Sequence, residues 1–200
     1  DAVSVIERLD GGMLKSFLTK HKSGLDVLIA PLEPDLADLI SSEDVQKILD
    51  MLQQEYDYIV VDSPPSFNDR TLGVLDRTDQ VCLIATMDVP SIKNTKLSLQ
   101  TMNLLSYPPG KVTLVLNRAD SKVGLYASEI EKSLNMKVAA TIPSSRIVPL
   151  SINKGDPLML DSSRSPVAKS IKQLTELILK KLEEKSKLLN KDKKYSVKSD

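Results

Sequence analysis

The order of apolar and polar stretches predicts an α/β protein with a doubly wound, mostly parallel sheet and helices on both faces. Three observations carry this. Five short apolar runs, rich in β-branched residues, recur along the chain: "DVLIAP" (26–31), "YIVVD" (58–62), "QVCLIAT" (80–86), "VTLVLNR" (112–118) and "VAATIP" (138–143). Turn formers bound each run, and helical patterns lie between them, so strands alternate with helices as in βαβ units. Runs that stay apolar on both faces suit strands buried within a parallel sheet.

The elements follow in order. "SVIERLDGGMLKSFLTKH" reads as two short helical pieces broken at Gly11-Gly12. After the first strand, "SEDVQKILDMLQQ" places Val45, Ile48, Leu49 and Leu52 on one helical face. "PSIKNTKLSLQTMNLL" opens with Pro90, whose fixed φ suits a first helical turn. "SEIEKSL" has capping-box spacing from Ser128 to Glu131. In the last helix Ser165 is the cap and Pro166 the first residue. Val167, Ile171, Leu174, Ile178 and Leu182 then recur at helical spacing, and the stripe fades near Leu188 and Leu189. Residues 1–184 are accordingly read as one domain and 185–200 as a basic, disordered tail.

Composition narrows the function. Two hundred residues, 41% of them hydrophobic, make one domain or one with a small appendage. The zero net charge hides a polarity: residues 169–200 carry ten Lys against five acids, leaving the rest of the chain at net −5. An acidic body argues against specific nucleic-acid binding. Cys82 has no partner cysteine and His21 is the sole histidine, in the polar stretch "TKHKSG". This disfavours a disulfide framework, a metal cluster and a Ser-His triad, and suits a reducing compartment. No signal peptide or membrane-length apolar run is visible, and a cytoplasmic protein is expected. The chain begins with Asp1 rather than Met, which reads as a start that is missing or trimmed.

The segment "YDYIVVDSPPS" poses the functional question: an apolar run ends on Asp62 and then meets Pro64 and Pro65. An acid at the C-terminal end of such a strand sits where open α/β sheets bind ligands, and in phosphate-binding folds it commonly serves Mg²⁺. The alternative is an ordinary strand-to-loop transition with a solvated carboxylate. A nucleotide site also needs a glycine-rich loop, G-x-x-x-x-G-K-[ST], between strand and helix. None is present. The one Gly-Lys pair, Gly110-Lys111, follows two prolines and enters a strand.

"YDYIVVDSPPS" resembles the second acidic motif of the MinD/ParA group of P-loop ATPases. "MDVPSIKNTKLSLQTMNLL", "KVTLVLNRADSKVGL", "AATIPSSRIVPLSINKGDPL" and "SRSPVAKSI" resemble successive blocks of its CpaE-like, TadZ-like branch, which serves Tad/Flp pilus assembly. The resemblance runs from about Val5 to Leu179 and implies the C-terminal two-thirds of an ATPase domain, beginning after the phosphate loop. It implies ATP and Mg²⁺ as cofactors of the complete protein, with ATP hydrolysis as its activity. This chain alone is expected to be inactive.

Residue by residue, Asp62 matches the catalytic acid that holds the Mg²⁺ shell, usually through water. Ser63, Pro64 and Pro65 match the nucleotide-sensing switch turn. Asn117 matches the adenine-facing asparagine, and a plain polar strand terminator is its alternative reading. Arg118 follows along the base, and Pro143 and Ser144 match the loop lining the other side of the adenine. Ser145 stands where the branch often has Asp. The partners implied are a second copy across the nucleotide face and pilus-assembly proteins, with recruitment to the cell pole or inner membrane surface. The Lys-rich last helix raises membrane targeting or coiled-coil pairing only as lesser alternatives, because Glu176, Glu183 and Glu184 dilute its charge and the stripe from Val167 to Ile178 is better explained as packing on the sheet. A non-catalytic module of the same fold and a ParA-type partitioning ATPase remain alternative functions.

Overall fold

The computed structural model describes residues 3–31, 33–120 and 125–196, and the chain divides into two compact units, residues 1–78 and 79–200. Ser121–Gly124, part of the resembling block "LNRADSKVGL", lies outside the described residues.

In the second unit, β3 (Val81–Thr86), β4 (Val112–Asn117) and β5 (Val138–Ile142) form a parallel sheet in the order β3-β4-β5. The sequence reading of these three strands holds within a residue at either end. The pairing runs from Val81↔Val112 to Thr86↔Asn117, and from Leu114↔Val138 to Asn117↔Ile142 with one register shift after Leu114. β4 is central and buried from Val112 to Leu116, as its two-faced apolar run requires.

Helices cover both faces. α5 (Val89–Leu104) links β3 to β4, and α6 (Ala127–Leu134) precedes β5. On this side Leu114 and Leu116 meet Ile130 and Leu134 of α6, with Ile92 and Leu99 of α5 packed against the cluster. Strand alternation turns Thr113 to the other face, where Lys181 of α9 (Pro166–Ser196) donates to its Oγ1 at 2.7 Å. Lys185 pairs with Asp79 at 2.7 Å, and α9 runs on as helix through the first part of the stretch read as a tail. Ser165 caps it as expected, its hydroxyl accepting from the Ala168 N–H at 3.2 Å. α7 (Ile147–Lys154) and α8 (Leu158–Asp161) lie between β5 and α9.

One cap differs from expectation. The carboxylate accepting at the start of α6 belongs to Glu129, from the Tyr126 N–H at 2.9 Å. Glu131 instead accepts from Val138 N–H and Lys137, each at 2.9 Å, joining the end of α6 to the start of β5. The helix begins two residues earlier than the Ser128 spacing implies, with Tyr126 at the cap, so the N3 position moves to Glu129.

The regular elements of the first unit are mainly helices. A 3₁₀ turn (Val3–Arg8) leads into α1 (Gly11–Ser16), capped by the Asp10 carboxylate accepting from Met13 N–H at 2.7 Å. The helical break therefore falls at Leu9-Asp10, and Gly11-Gly12 sits inside the first turn of α1. α2 (Pro34–Asp38) precedes α3 (Ser42–Leu52) and α4 (Asp69–Arg77), which pack side by side in parallel. Ser42 Oγ donates to the Asp69 carbonyl at 3.0 Å at their N-termini, and Arg77 pairs with Asp50 at 2.7 Å at their C-termini. Gly73 permits the approach: a Cβ there would lie 2.6 Å from Ser42 Oγ. Leu9, Leu14 and Ile48 form this unit's core.

Two of the five expected strands are corrected here. "DVLIAP" contributes only β2 (Asp26–Val27), antiparallel to β1 (Thr19–Lys20). Tyr58–Asp62 is not a strand: it pairs with no neighbour among the described residues. Val60 is 94% exposed. A strand is held by ladder hydrogen bonds to a neighbour, and the apolar run signals a wish for burial that no described segment meets.

Candidate functional site

The C-terminal ends of β4 and β5 bring four of the expected site residues together. Asn117 is the last residue of β4, opposite Ile142 on β5. Its Oδ1 accepts from the Arg118 N–H at 3.0 Å, and among the described residues the side-chain NH₂ has no acceptor. Arg118 turns the chain with φ of 53°, a left-handed conformation unusual outside glycine, and its side chain is exposed. The Ala119 N–H then donates to the Ile142 carbonyl at 3.0 Å, extending the strand pairing into the two loops.

Asp120 closes this arrangement. Its Oδ1 accepts from the Ser144 N–H at 2.6 Å, tying the loop after β4 to the Pro143-Ser144 segment after β5. That backbone bond, with a further one to the Ser144 hydroxyl, holds the Asp120 carboxyl below its ordinary range. Asp120 is a residue that sequence reasoning missed. No local spacing marks it, because the backbone it grips lies 24 residues further along the chain. Ser145 Oγ accepts from Ile147 N–H at 3.3 Å and so serves the start of α7.

The neighbouring strand end is ordered in the same way. Asp88, after β3, accepts from Ser91 N–H at 2.8 Å and from the Thr86 hydroxyl, capping α5. The Thr86 hydroxyl, first, and that backbone bond, second, lower its carboxyl. Ser91 Oγ in turn accepts from Thr86 N–H at 2.9 Å. Three successive strand ends thus finish in tight, polar, hydrogen-bonded turns, the edge where parallel α/β sheets take ligands.

Asp62, Ser63, Pro64 and Pro65 lie in the first unit, all exposed. A cleft of about 580 Å³ between the N-termini of α3 and α4 is lined by Asp38, Ser42, Asp69 and Arg70 among others, and Asp62 is not part of it. Among the described residues no group of three or more His, Cys, Asp or Glu is arranged to hold a metal ion. A lone exposed carboxylate fits a role in which phosphate oxygens and water fill most of a Mg²⁺ shell. Asn117, with its side-chain NH₂ at the end of β4, offers a donor of the kind a purine edge accepts. The phosphates find no cradle in these 200 residues, because no glycine-rich loop is among them.

The comparisons with known proteins bear on the class. No family model matches the chain. The three-stranded parallel sheet with its flanking helices has the fold of the MinD/ParA group of P-loop ATPases. A ParA family ATPase from Chlorobium tepidum superposes with a TM-score of 0.80 at 24% identity, covering 86% of this chain and 72% of that one. MinD from Pyrococcus horikoshii, complexed with Mg-ADP, superposes at 0.71 with 14% identity over 88% and 77% of the two chains.

Sequence relatives fall in the same group. The septum site-determining protein MinD of Thermotoga maritima is 24% identical over 167 residues, 80% of this chain and 61% of the relative. The sporulation initiation inhibitor Soj of Bacillus subtilis is 26% identical over 148 residues, 70% of this chain and 58% of the relative. The chain spans about three-fifths of the length of the curated relatives it matches.

Proposed function

We propose that these residues are the base-facing, C-terminal part of a MinD/ParA-like ATPase that localises the Tad/Flp pilus-assembly machinery. The observation that carries the nucleotide reading is the convergence of Asn117, Arg118, Pro143 and Ser144 at one edge, joined by the Asp120–Ser144 bond at 2.6 Å. The pilus assignment rests on the block resemblance, "MDVPSIKNTK" and "LNRADSKVGL" above all.

In this reading Asn117 meets the adenine edge, with Arg118 along the base and Pro143-Ser144 on its other side. ATP with Mg²⁺ supplies a phosphoryl group for hydrolysis when bound. Asp62 orients water on the cation and offsets phosphate charge, and Ser63–Pro65 form the switch, where the prolines restrict the backbone. The complete protein works as a dimer across its nucleotide face, in the cytoplasm or at the inner membrane surface. A non-catalytic module of the same fold is the second reading, favoured by the lack of a glycine-rich loop in these residues.

The proposal is tested at four points. Calorimetry of the 200-residue chain with Mg·ATP is expected to show weak or no binding, because backbone amides and a lysine normally cradle the phosphates. In the protein as its gene encodes it, Asp62→Ala is expected to cut ATP turnover by about tenfold or more with expression unchanged. Turnover unchanged in that variant removes Asp62 from the metal site. No ATP binding by the whole gene product establishes the non-catalytic module. Loss of polar pili on gene deletion, with restoration by the wild-type gene only, tests the pilus assignment.

A further inference from the structure

The loops after β4 and β5 are joined by a side chain standing in for backbone. The ladder of the two strands ends at Asn117↔Ile142. The Ala119 N–H then adds one more rung to the Ile142 carbonyl at 3.0 Å. In parallel pairing the next rung would run from the Ser144 N–H to the Ala119 carbonyl. The Asp120 carboxylate takes that N–H instead, at 2.6 Å. Asp120 and Ser144 are both exposed, and a neutral rung there competes with water for its donor. A carboxylate acceptor makes the bond charge-assisted, hence shorter and stronger than the amide rung it replaces.

Asp88 and Asp120 make the contrast that gives this bond its meaning. Both follow a strand of the sheet. Asp88 accepts from the Ser91 N–H at 2.8 Å and caps α5, the ordinary task of an aspartate between a strand and a helix. Asp120 caps no helix, since α6 begins at Ala127 with Tyr126 at its cap. Its carboxylate reaches across to the neighbouring loop. That loop, Pro143-Ser144, and Asn117 are the two sides assigned to the base. Asn117 is oriented from its own strand end, its Oδ1 accepting from the Arg118 N–H at 3.0 Å. Pro143-Ser144 is oriented by Asp120.

We infer that Asp120 is a positioning residue of the base site, holding Pro143-Ser144 at a set distance from Asn117 so that a nucleotide base enters between loops already in place. This role rests on the nucleotide reading of these residues and adds to it the group that sets base affinity. Asp120 is spent on Ser144 and does not act on phosphate or cation. What it contributes is therefore equal in the ground and transition states, and its loss raises KM while kcat stays.

The test uses the protein as its gene encodes it, with Mg·ATP and Mg-tripolyphosphate as separate probes in calorimetry. Tripolyphosphate carries the phosphates without a base. Asp120→Ala is expected to weaken ATP at least about fivefold and to leave tripolyphosphate within about twofold, because only a base must order the freed loop on binding. In steady-state turnover the same variant is expected to raise KM with kcat kept within about twofold. Asp120→Asn is expected to bring ATP affinity back to within about twofold of wild type, since its Oδ1 still accepts from the Ser144 N–H. Equal weakening of both probes by Asp120→Ala shows general damage and overturns the assignment. So does an Asp120→Asn variant no better than Asp120→Ala, which would place the effect in the charge and not in the bond. Unchanged ATP affinity in Asp120→Ala overturns the assignment alone and leaves the nucleotide reading standing. Wild-type protein that binds no ATP, or binds tripolyphosphate as tightly as ATP, overturns the base site and Asp120's role with it.

Discussion

Two stretches of this chain share one sequence signature and have opposite surroundings. Tyr58–Asp62 and Val112–Asn117 are both apolar runs that end on a polar residue. The second is the centre of a parallel sheet, with Thr113 through Leu116 fully buried. The first has no strand partner among the described residues, with Tyr58 63% and Val60 94% exposed. An apolar run thus states a demand for burial. Whether the demand is met depends on neighbours that the run itself does not encode. β4 is met by β3 and β5 on its edges and by α5, α6 and α9 on its faces, whereas Tyr58–Asp62 is left without a strand partner among the described residues.

The largest expected effect tests this contrast directly. Leu114→Ala should cost about 2–5 kcal/mol in urea denaturation, because it removes a fully buried side chain from a packed core. Val60→Ala should change stability by less than about 0.5 kcal/mol, as surface substitutions do. A cost above about 1 kcal/mol at Val60 would mean the segment is buried in solution, and the comparison would collapse.

The first unit is not loose everywhere, and Gly73 sharpens the point. Gly73→Val should destabilise by roughly 1–3 kcal/mol, since a side chain there runs into Ser42 Oγ and Gln46 Nε2, 2.6 and 2.8 Å from the Cβ position. Gly73→Ala should come out near zero, because a helix-propensity gain of about 1 kcal/mol offsets the smaller clash. Equal effects of the two variants would show that α3 and α4 separate freely.

The smallest effect concerns the tied strand ends. The Asp120 carboxyl is held below its ordinary range by the Ser144 N–H bond. A depressed folded-state pKa means the bond's contribution is complete above the unfolded value, about 3.9, and is lost as pH falls through the lower folded value. The Ser144 amide resonance should therefore titrate with a midpoint below about 3.9, and Asp120→Asn should abolish that titration. A midpoint at or above the ordinary value would show that the loops after β4 and β5 are not joined in solution.

How much was legible follows from the same physics. The strands at 81–86, 112–117 and 138–142 could be read because each finds its partners in chain segments that are themselves legible. α3, α5 and α9 could be read because their caps and apolar spacing are local. "DVLIAP" and "YIVVD" could not, because a pairing partner is a property of the whole fold. Of the site, Asn117 and Pro143-Ser144 came from motif resemblance, and the backbone then placed them at one edge. Asp120 escaped because its role is a bond between residues 24 apart in sequence, and no local pattern marks its partner.

The bond from Lys181 to Thr113 joins positions 68 residues apart. In kinetic terms it is a late event: β4 must already lie between β3 and β5, and α6 must already have closed over the other face, before α9 finds a hydroxyl to grasp. Contacts of such long sequence separation carry a heavy closure entropy and tend to form after the local ones. Thr113→Val should therefore leave the refolding rate nearly unchanged and speed unfolding, the signature of an interaction absent from the transition state. Stopped-flow chevrons would show it. The last helix then acts as a bolt, shot home once the door is shut, and sets how long the folded sheet stays closed rather than how fast it forms.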